Sequence, residues 1–221
     1  VVNAGPLVAN MQLQVQGIPS AWVKIIPPVL NLNEGRSGVF SVRVNPPRNS
    51  ESKAGVYQLH FVAISPNYPR ETGTADVMLN VLPYNDFLVN GPTPRRISLS
   101  RSHPSDSSDI VILNNSNAPA SFIVRSYDDA NELNFAYKQD NGNLSQGQEM
   151  ITIPAGNNNR IPIQVEAKKR PVVGLTSRMH HYYTTVTPSE RPGDVQTLIG
   201  EVSVRPLINL IVLLLILLLF A

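Results

Sequence analysis

The chain has 221 residues, a formal net charge of +2, only 15% charged residues and no cysteine. The lack of cysteine excludes disulfide cross-links, thiolate catalysis and cysteine-ligated zinc. A small positive charge without a clustered basic face does not predict nucleic-acid binding. The 19 prolines and 13 glycines favour many short strands joined by turns, in two small domains or one larger β domain.

Alternating apolar and polar residues recur along the first half of the chain, in MQLQVQ, VFSVRVN, YQLHFVA and ADVMLNVL. This period of two predicts strands with one buried face, as in an antiparallel sandwich. The side chains predicted to face inward are Met11, Leu13, Val15, Phe40, Val42, Val44, Tyr57, Leu59, Phe61, Ala63, Ala75, Val77, Leu79 and Val81.

The second half repeats the same pattern in the same order. VVNAGPLVANMQLQVQG aligns with ILNNSNAPASFIVRSYD, and YQLHFVAISPNYPRETGTADVMLNVLP aligns with HHYYTTVTPSERPGDVQTLIGEVSVRP. Between them, VKIIPPVLNLNEGRSGVFSVRVNPP aligns with MITIPAGNNNRIPIQVEAKKRP. We interpret this as a tandem duplication of one β-sandwich unit.

The predicted fold is all-β, with two tandem Ig-like antiparallel β-sandwiches followed by one C-terminal transmembrane α-helix. The first sandwich is assigned to residues 1–84, a linker to 85–94, the second sandwich to 95–205 and the helix to 206–221. The first sandwich begins where the equivalent strand of the second one ends. We therefore expect its first strand to lie upstream, and its absence to expose apolar surface.

The first repeat resembles a bacterial and archaeal Ig-like module. The matching elements are the Gly17–Trp22 turn, Pro27 and Pro28, the Asn33–Ser37 turn, the strand Phe40–Pro47 and Ala54–Tyr57. Similar modules occur beside carbohydrate-binding domains in alpha-galactosidases and at the C-terminus of FixG-type membrane proteins. The resemblance covers most of residues 1–83 and implies a non-catalytic spacer, adhesive unit or assembly surface outside the cytoplasmic membrane.

The C-terminal run Leu207–Ala221 contains no charged residue. As a helix it would span about 22 Å, less than the roughly 30 Å of a bilayer core. Either it is the first part of a membrane span, or it packs in a buried groove; its aliphatic composition favours the membrane. The predicted anchor residues are Pro206, Leu207, Ile208, Leu210, Ile211, Leu214, Leu218 and Phe220.

Arg205 precedes this run directly, so we expect the second sandwich to sit on the membrane surface with no flexible stalk. A basic run of Lys168, Lys169 and Arg170 is either a solvated loop or, together with Arg205, a contact for anionic headgroups or an acidic partner.

Two clusters invite a metal interpretation. His180 and His181 are adjacent, so a regular strand points them to opposite faces and they are interpreted as a polar strand face. Asp128, Asp129 and Glu132 match a calcium loop only in part, and an Asp- and Asn-rich turn explains the same residues. No metal and no cofactor are predicted.

Trp22 is either an exposed sugar-stacking platform or a packing residue at the edge of the core, and the family pattern favours packing. Asn114 and Asn143 match the glycosylation sequon. The sequence contains no nucleophile elbow, phosphate loop or zinc-protease motif, so an enzyme is not expected.

These observations lead to the hypothesis of a non-catalytic, single-pass protein of the cytoplasmic membrane. Its sandwiches would lie on the extracytoplasmic side, and its partners would be membrane lipid and other membrane protein subunits that it braces. The alternative is a cell-surface adhesion or carbohydrate-binding module on a membrane anchor.

Overall fold

The computed structural model describes residues 1–139 and 142–211 and is all-β. It divides into two compact units, unit 1 (Val1–Tyr84) and unit 2 (from Asn85). Each unit is described by itself below.

Unit 1 consists of a four-stranded and a two-stranded antiparallel sheet. The larger sheet has the order β3-β1-β5-β6 and the smaller one pairs β2 with β4. A single 3₁₀ turn, Ser20–Trp22, leads into β2 and buries Trp22. The strands are β1 Ala9–Gln16, β2 Val23–Ile26, β3 Val29–Leu32, β4 Ser41–Val44, β5 Gly55–Ser65 and β6 Tyr68–Val81.

Unit 2 is a sandwich of two five-stranded sheets, with orders β13-β10-β16-β17-β8 and β12-β11-β14-β9-β7. Both sheets contribute to one buried core, which includes Tyr137, Ile163, Tyr182 and Val202. The strands are β7 Phe87–Thr93, β8 Arg96–Leu99, β9 Ser105–Asn114, β10 Ala120–Tyr127, β11 Leu133–Lys138, β12 Leu144–Gln146, β13 Gln148–Ile153, β14 Asn158–Ala167, β15 Val173–Gly174, β16 Arg178–Pro188, β17 Gln196–Val204 and β18 Ile208–Asn209.

The same strand order occurs in both units. In unit 1 the order β3-β1-β5-β6 pairs Leu13 with Ala63, and in unit 2 the order β13-β10-β16-β17 pairs Val124 with Val186. The sequence alignment puts these two pairs at equivalent positions. Within the described part of unit 1, no strand corresponds to β7, β8 or most of β9.

A buried asparagine occupies the same place in each unit. Asn3 Nδ2 donates to the carbonyls of Leu7 (2.8 Å) and Leu32 (2.8 Å), and its Oδ1 accepts the Gly5 N–H (3.1 Å). The side chain therefore satisfies two backbone groups of the tight turn that precedes β1, and it ties this turn to the end of β3 through Leu32.

Asn114 makes the same set of bonds in unit 2. Its Nδ2 donates to Ala118 (3.0 Å) and Ile153 (2.8 Å), and its Oδ1 accepts the Ser116 N–H (3.1 Å). The two asparagines are 1% and 0% exposed, so both turns depend on a buried amide rather than on water.

The structure differs from the sequence-based boundaries at residues 85–94. Phe87–Thr93 is not a linker but strand β7, which pairs with β9 in unit 2. Gly91 and Pro92 fall within the predicted linker, but they mark an irregularity in this strand pairing. A Cβ on Gly91 (φ 116°) would lie 2.7 Å from the Asp109 carbonyl, so glycine permits the close approach.

The beginning of the predicted helix 206–221 also differs. Ile208–Asn209 is strand β18, which pairs in parallel with β15. Among residues 1–139 and 142–211, no helix has the length and apolar character needed to cross a membrane. Leu210 and Ile211 are helical, in agreement with the prediction. Residues 212–221 of the predicted helix, with Leu214, Leu218 and Phe220, lie outside the described residues.

Candidate functional site

The loop after β14 and the start of the C-terminal run lie side by side at one end of unit 2. The Leu207 N–H donates to the Pro171 carbonyl and the Ile208 N–H to the Val172 carbonyl, each at 2.9 Å. A Cβ built on Gly174 would lie 3.3 Å from Pro206 Cβ, which shows how closely the two segments approach. The C-terminal run is thus tied to the body of unit 2 at its first residues.

These two segments expose six apolar side chains, which we call the apolar end patch. Val172 and Leu175 are 62% and 60% exposed, although both are aliphatic. Grouped apolar side chains in contact with water mark an interaction site more often than isolated ones do. The members of the patch are Val172 (62%), Val173 (40%), Leu175 (60%), Leu207 (40%), Ile208 (37%) and Ile211 (56%).

The predicted basic residues flank the apolar end patch in sequence and differ in their contacts. The Arg170 guanidinium donates to the carbonyls of Ser100 (2.5 Å) and Pro104 (2.7 Å), so it anchors the loop between β8 and β9. Lys168 Nζ is bonded to Asn131 Oδ1. The side chains of Lys169 and Arg205 are exposed, which leaves these two best suited to contact anionic groups.

The histidine pair lies on opposite faces of β16. His180 Nδ1 is 3.3 Å from Glu132 Oε2, and its side chain is 10% exposed, whereas His181 is on the exposed face. Within the described ranges, no group of three or more His, Cys, Asp or Glu side chains is placed to hold a metal ion.

Asp128 organises the turn between β10 and β11. Its carboxylate accepts the Glu132 N–H at 2.7 Å and the Leu133 N–H at 3.2 Å, and the residue is 8% exposed. Both oxygens therefore serve the backbone, which agrees with the turn interpretation of this segment and not with the calcium loop.

Trp22 is a packing residue, not a sugar platform. It is 6% exposed and meets Tyr57 edge-on, with ring centroids 5.9 Å apart and planes inclined at 71°. The sequon residue Asn114 is buried, and its amide is used by the turn described above, so it offers no glycan acceptor.

Sequence reasoning missed two surfaces. Val172, Val173 and Leu175 of the apolar end patch were overlooked, although the apolar PVVGL directly after the basic KKR is a readable signal. The other surface is a row across β10, β16 and β17, in which Tyr127 pairs with Tyr183 and Tyr183 with Ile199. The tyrosine rings stack at 5.4 Å, and Tyr127 and Ile199 are 43% and 45% exposed.

Comparison with family models gives no match, and no curated protein is significantly similar to the chain. Among solved structures, the cadherin-like domains 1 to 4 of zebrafish RET are 12% identical, with 90% of this chain and 41% of that chain covered and a TM-score of 0.37. The PapD-like domain 7 of human CEP192 is 10% identical, with 55% and 84% covered and a TM-score of 0.32.

A protein of unknown function from Porphyromonas gingivalis is 12% identical, with 89% of this chain and 86% of that chain covered and a TM-score of 0.32. The chain spans less than half of the RET fragment. The RET and CEP192 neighbours are cadherin-like and PapD-like β-sandwich domains, and at these TM-scores the likeness assigns no family or role to this chain.

Proposed function

We propose that the chain is a non-catalytic membrane protein whose β-sandwich units serve protein interaction, with the apolar end of unit 2 resting on the bilayer. The observation that carries the proposal is the apolar end patch, because it joins the uncharged run Leu207–Ala221 to a second exposed apolar segment. Exposed Lys169 and Arg205 supply the positive charge that anionic headgroups attract.

The role we propose is that of an accessory subunit on the extracytoplasmic side of a larger membrane protein complex. Two features support it. The hydrogen bonds of Leu207 and Ile208 hold the first residues of the C-terminal run against unit 2, so a complex bound through this run would be attached without a flexible linker. The Tyr127–Ile199 row gives unit 2 an exposed, partly apolar sheet face for a protein neighbour.

Membrane contact is tested by fluorescence, because the chain has no cysteine and single cysteines label cleanly. Val172→Cys, labelled with an environment-sensitive dye, is expected to shift to shorter wavelength in anionic vesicles, since its position enters the headgroup region. Ser189→Cys in the β16–β17 turn is the control and is expected not to shift. Equal spectra for the two positions would refute bilayer contact at this end.

Whether the chain is a subunit of a larger complex is tested by solubilising native membranes in mild detergent and separating the solubilised proteins by size. The proposal predicts that the chain migrates with other proteins well above its own 24.2 kDa. Migration as a lone monomer would rule out the accessory role while leaving membrane contact untouched.

The second candidate is an adhesion or carbohydrate-binding module on a membrane anchor. The observation in its favour is the exposed Tyr127 beside Tyr183, since aromatic rings are common contacts for sugars and proteins. Glycan pull-down with the intact chain in detergent tests it, with Tyr127→Ser as the variant expected to lose binding and Tyr84→Ser in unit 1 as the control. Failure of every glycan to retain the unmodified chain would remove this candidate.

A further inference from the structure

A cleft opens at one edge of unit 2, where the chain crosses from β12 to β13. Strand β13 pairs with β10 only as far as Arg125, whereas β16 accompanies β10 to Tyr127. Among the described residues, the last part of β10 therefore has a paired strand on one side only. The chain leaves one sheet at Gln146 and joins the other at Gln148, and the cavity beside this crossing has a volume of about 450 Å³. Small-molecule sites commonly measure about 300–1,000 Å³.

Tyr127 presents one face of its ring to this cleft. The other face is covered by Tyr183, because the two rings stack with centroids 5.4 Å apart and planes inclined at 26°. Tyr183 belongs to β16, so the uncovered face of Tyr127 is directed toward the side of β10 that β13 leaves open. Tyr127 is 43% exposed and lines the cavity, so a flat apolar surface of a ligand can lie against it.

A second wall of the cleft is formed by the outward face of the other sheet. Asn134 on β11 pairs with Glu166 on β14, and Ala136 on β11 pairs with Gln146 on β12. These four residues line the cavity, and the small side chain of Ala136 leaves space between the polar ones. Within residues 1–139 and 142–211, the exposed side chains of Asn134, Gln146 and Glu166 have no hydrogen-bond or ion-pair partner. Two amides and one carboxylate are therefore available to a ligand as donors and acceptors.

The charges that line the cleft balance one another. Arg125 and Lys168 contribute two positive charges, and Asp128 and Glu166 contribute two negative ones. The Asp128 carboxylate is already occupied by two backbone N–H groups, and Lys168 Nζ is bonded to Asn131 Oδ1. Without an excess of either sign, the cleft attracts neither anions nor cations in particular. Its lining suits a neutral ligand that has many hydrogen-bonding groups and one apolar face.

We propose that this cleft binds a neutral saccharide. An apolar C–H face of the sugar ring lies against Tyr127, as aromatic side chains allow. Hydroxyl groups of the sugar, which both donate and accept, exchange hydrogen bonds with Asn134, Gln146 and Glu166.

The inference rests on the second candidate function, carbohydrate binding, and adds to it the place and the residues that hold the sugar. It does not depend on membrane contact by the apolar end patch. The sugar uses the face of Tyr127 that Tyr183 leaves uncovered, so the Tyr127–Ile199 row remains open to a protein neighbour.

Binding is measured by saturation-transfer NMR titration of the intact chain, in a detergent without a sugar headgroup. The probes are cellobiose, maltose, lactose and N,N′-diacetylchitobiose, and we expect at least one of them to bind saturably. Tyr127→Ser is expected to weaken this binding about tenfold or more, because the stacking face is lost. Tyr127→Phe keeps that face and is expected to retain the affinity.

Asn134→Ala tests the polar wall of the cleft. It is expected to weaken binding about fivefold, the effect of losing one neutral hydrogen bond. Lys138→Ala is the matched control, since it truncates an exposed side chain of the same strand that does not line the cleft. Ile199→Ser changes the Tyr127–Ile199 row but not the cleft. Both controls are expected to bind like the unmodified chain.

The possible results separate the cleft from the candidate function. If Ile199→Ser weakens binding and Asn134→Ala does not, the sugar lies on the row, so the cleft assignment is overturned while carbohydrate binding stands. If none of the four disaccharides binds, the cleft assignment is also overturned. The candidate function itself falls only if the glycan pull-down retains nothing as well.

Discussion

Replacing Asn114 with alanine is expected to lower the free energy of unfolding of unit 2 by about 3 kcal/mol. The fully buried side chain donates to Ala118 and Ile153 and accepts from Ser116, at distances of 3.0, 2.8 and 3.1 Å. Three hydrogen bonds at about 1 kcal/mol each give this figure. The cost rises toward the upper end of the range if water cannot reach the backbone groups left behind, since each unsatisfied group costs about 1–3 kcal/mol.

The assay uses the fact that Trp22, the one tryptophan of the chain, lies in unit 1. Its fluorescence follows the unfolding of unit 1 in urea, while circular dichroism follows both units. A loss of about 3 kcal/mol corresponds to a midpoint shift of about 1–3 M urea at typical slopes. Asn114→Ala is expected to shift the dichroism transition only, whereas Asn3→Ala is expected to shift the tryptophan transition.

Asn134→Ala is the control, because Asn134 is exposed on β11, and a change within about 0.5 kcal/mol is expected. If Asn114→Ala costs no more than this control, the buried amide does not hold the turn and the reasoning is refuted. If Asn3→Ala leaves the tryptophan transition in place, the two turns are not energetically equivalent.

Three further predictions concern the paired strands β16 and β17 of unit 2. Gly200→Ala is expected to lower the free energy of unfolding, measured by thermal denaturation, by roughly 1–3 kcal/mol, because the added Cβ would lie 2.2 Å from Tyr182 Cζ. Gly193→Ala is the control and is expected to lower it far less, because no atom lies within 4 Å of the added Cβ. Burial raises the pKa of Tyr182 above its usual 10.0, so the fold keeps the neutral phenol and stability should fall as pH rises past that value. In Tyr182→Phe, the urea midpoint is expected to fall less steeply as the pH rises above 10. If the midpoint depends on pH as it does in the unmodified chain, the alkaline loss of stability does not come from Tyr182. The hydrogen bond from Arg96 lowers the pKa of Glu201 below its usual 4.5. The ionised Glu201 therefore stabilises the fold above pH 4.5, and this contribution is lost as the pH falls through the lowered pKa. In Arg96→Gln, the free energy of unfolding is therefore expected to fall less between about pH 5 and lower pH than in the unmodified chain. The same pH dependence in both proteins would contradict the role of the Arg96–Glu201 hydrogen bond.

The strand pattern was readable from sequence because a buried face and an exposed face alternate along each strand. Leu59 and Ala63 are buried while Gln58 and His60 are exposed, as the period of two predicts. The alternation fails on β6, where Ala75 and Val77 were predicted inward but are exposed. Periodicity reports which side chains share a face, but it does not report whether a second layer covers that face.

The site was predictable only in part. The basic run and the uncharged C-terminal run stand out in composition, so Arg205 and Leu207 could be named from the letters alone. The exposed Val172 becomes part of a surface only through the hydrogen bond that its carbonyl accepts from Ile208, which lies 36 residues later in the chain. Pairings of this kind depend on tertiary structure, which a local pattern does not encode.

The bonds from Leu207 and Ile208 to the loop also determine how the molecule responds to mechanical load. Tension applied at the C-terminal end would act on these two hydrogen bonds, at 2.9 Å each, before it acts on β17. Because β15 and β18 run in parallel, a force directed along β18 is shared by both hydrogen bonds. Under tension the short pair is expected to yield first, while the sandwich of unit 2 stays folded. Single-molecule pulling should show a small extension step that precedes cooperative unfolding, and a single step would refute this sequence of events.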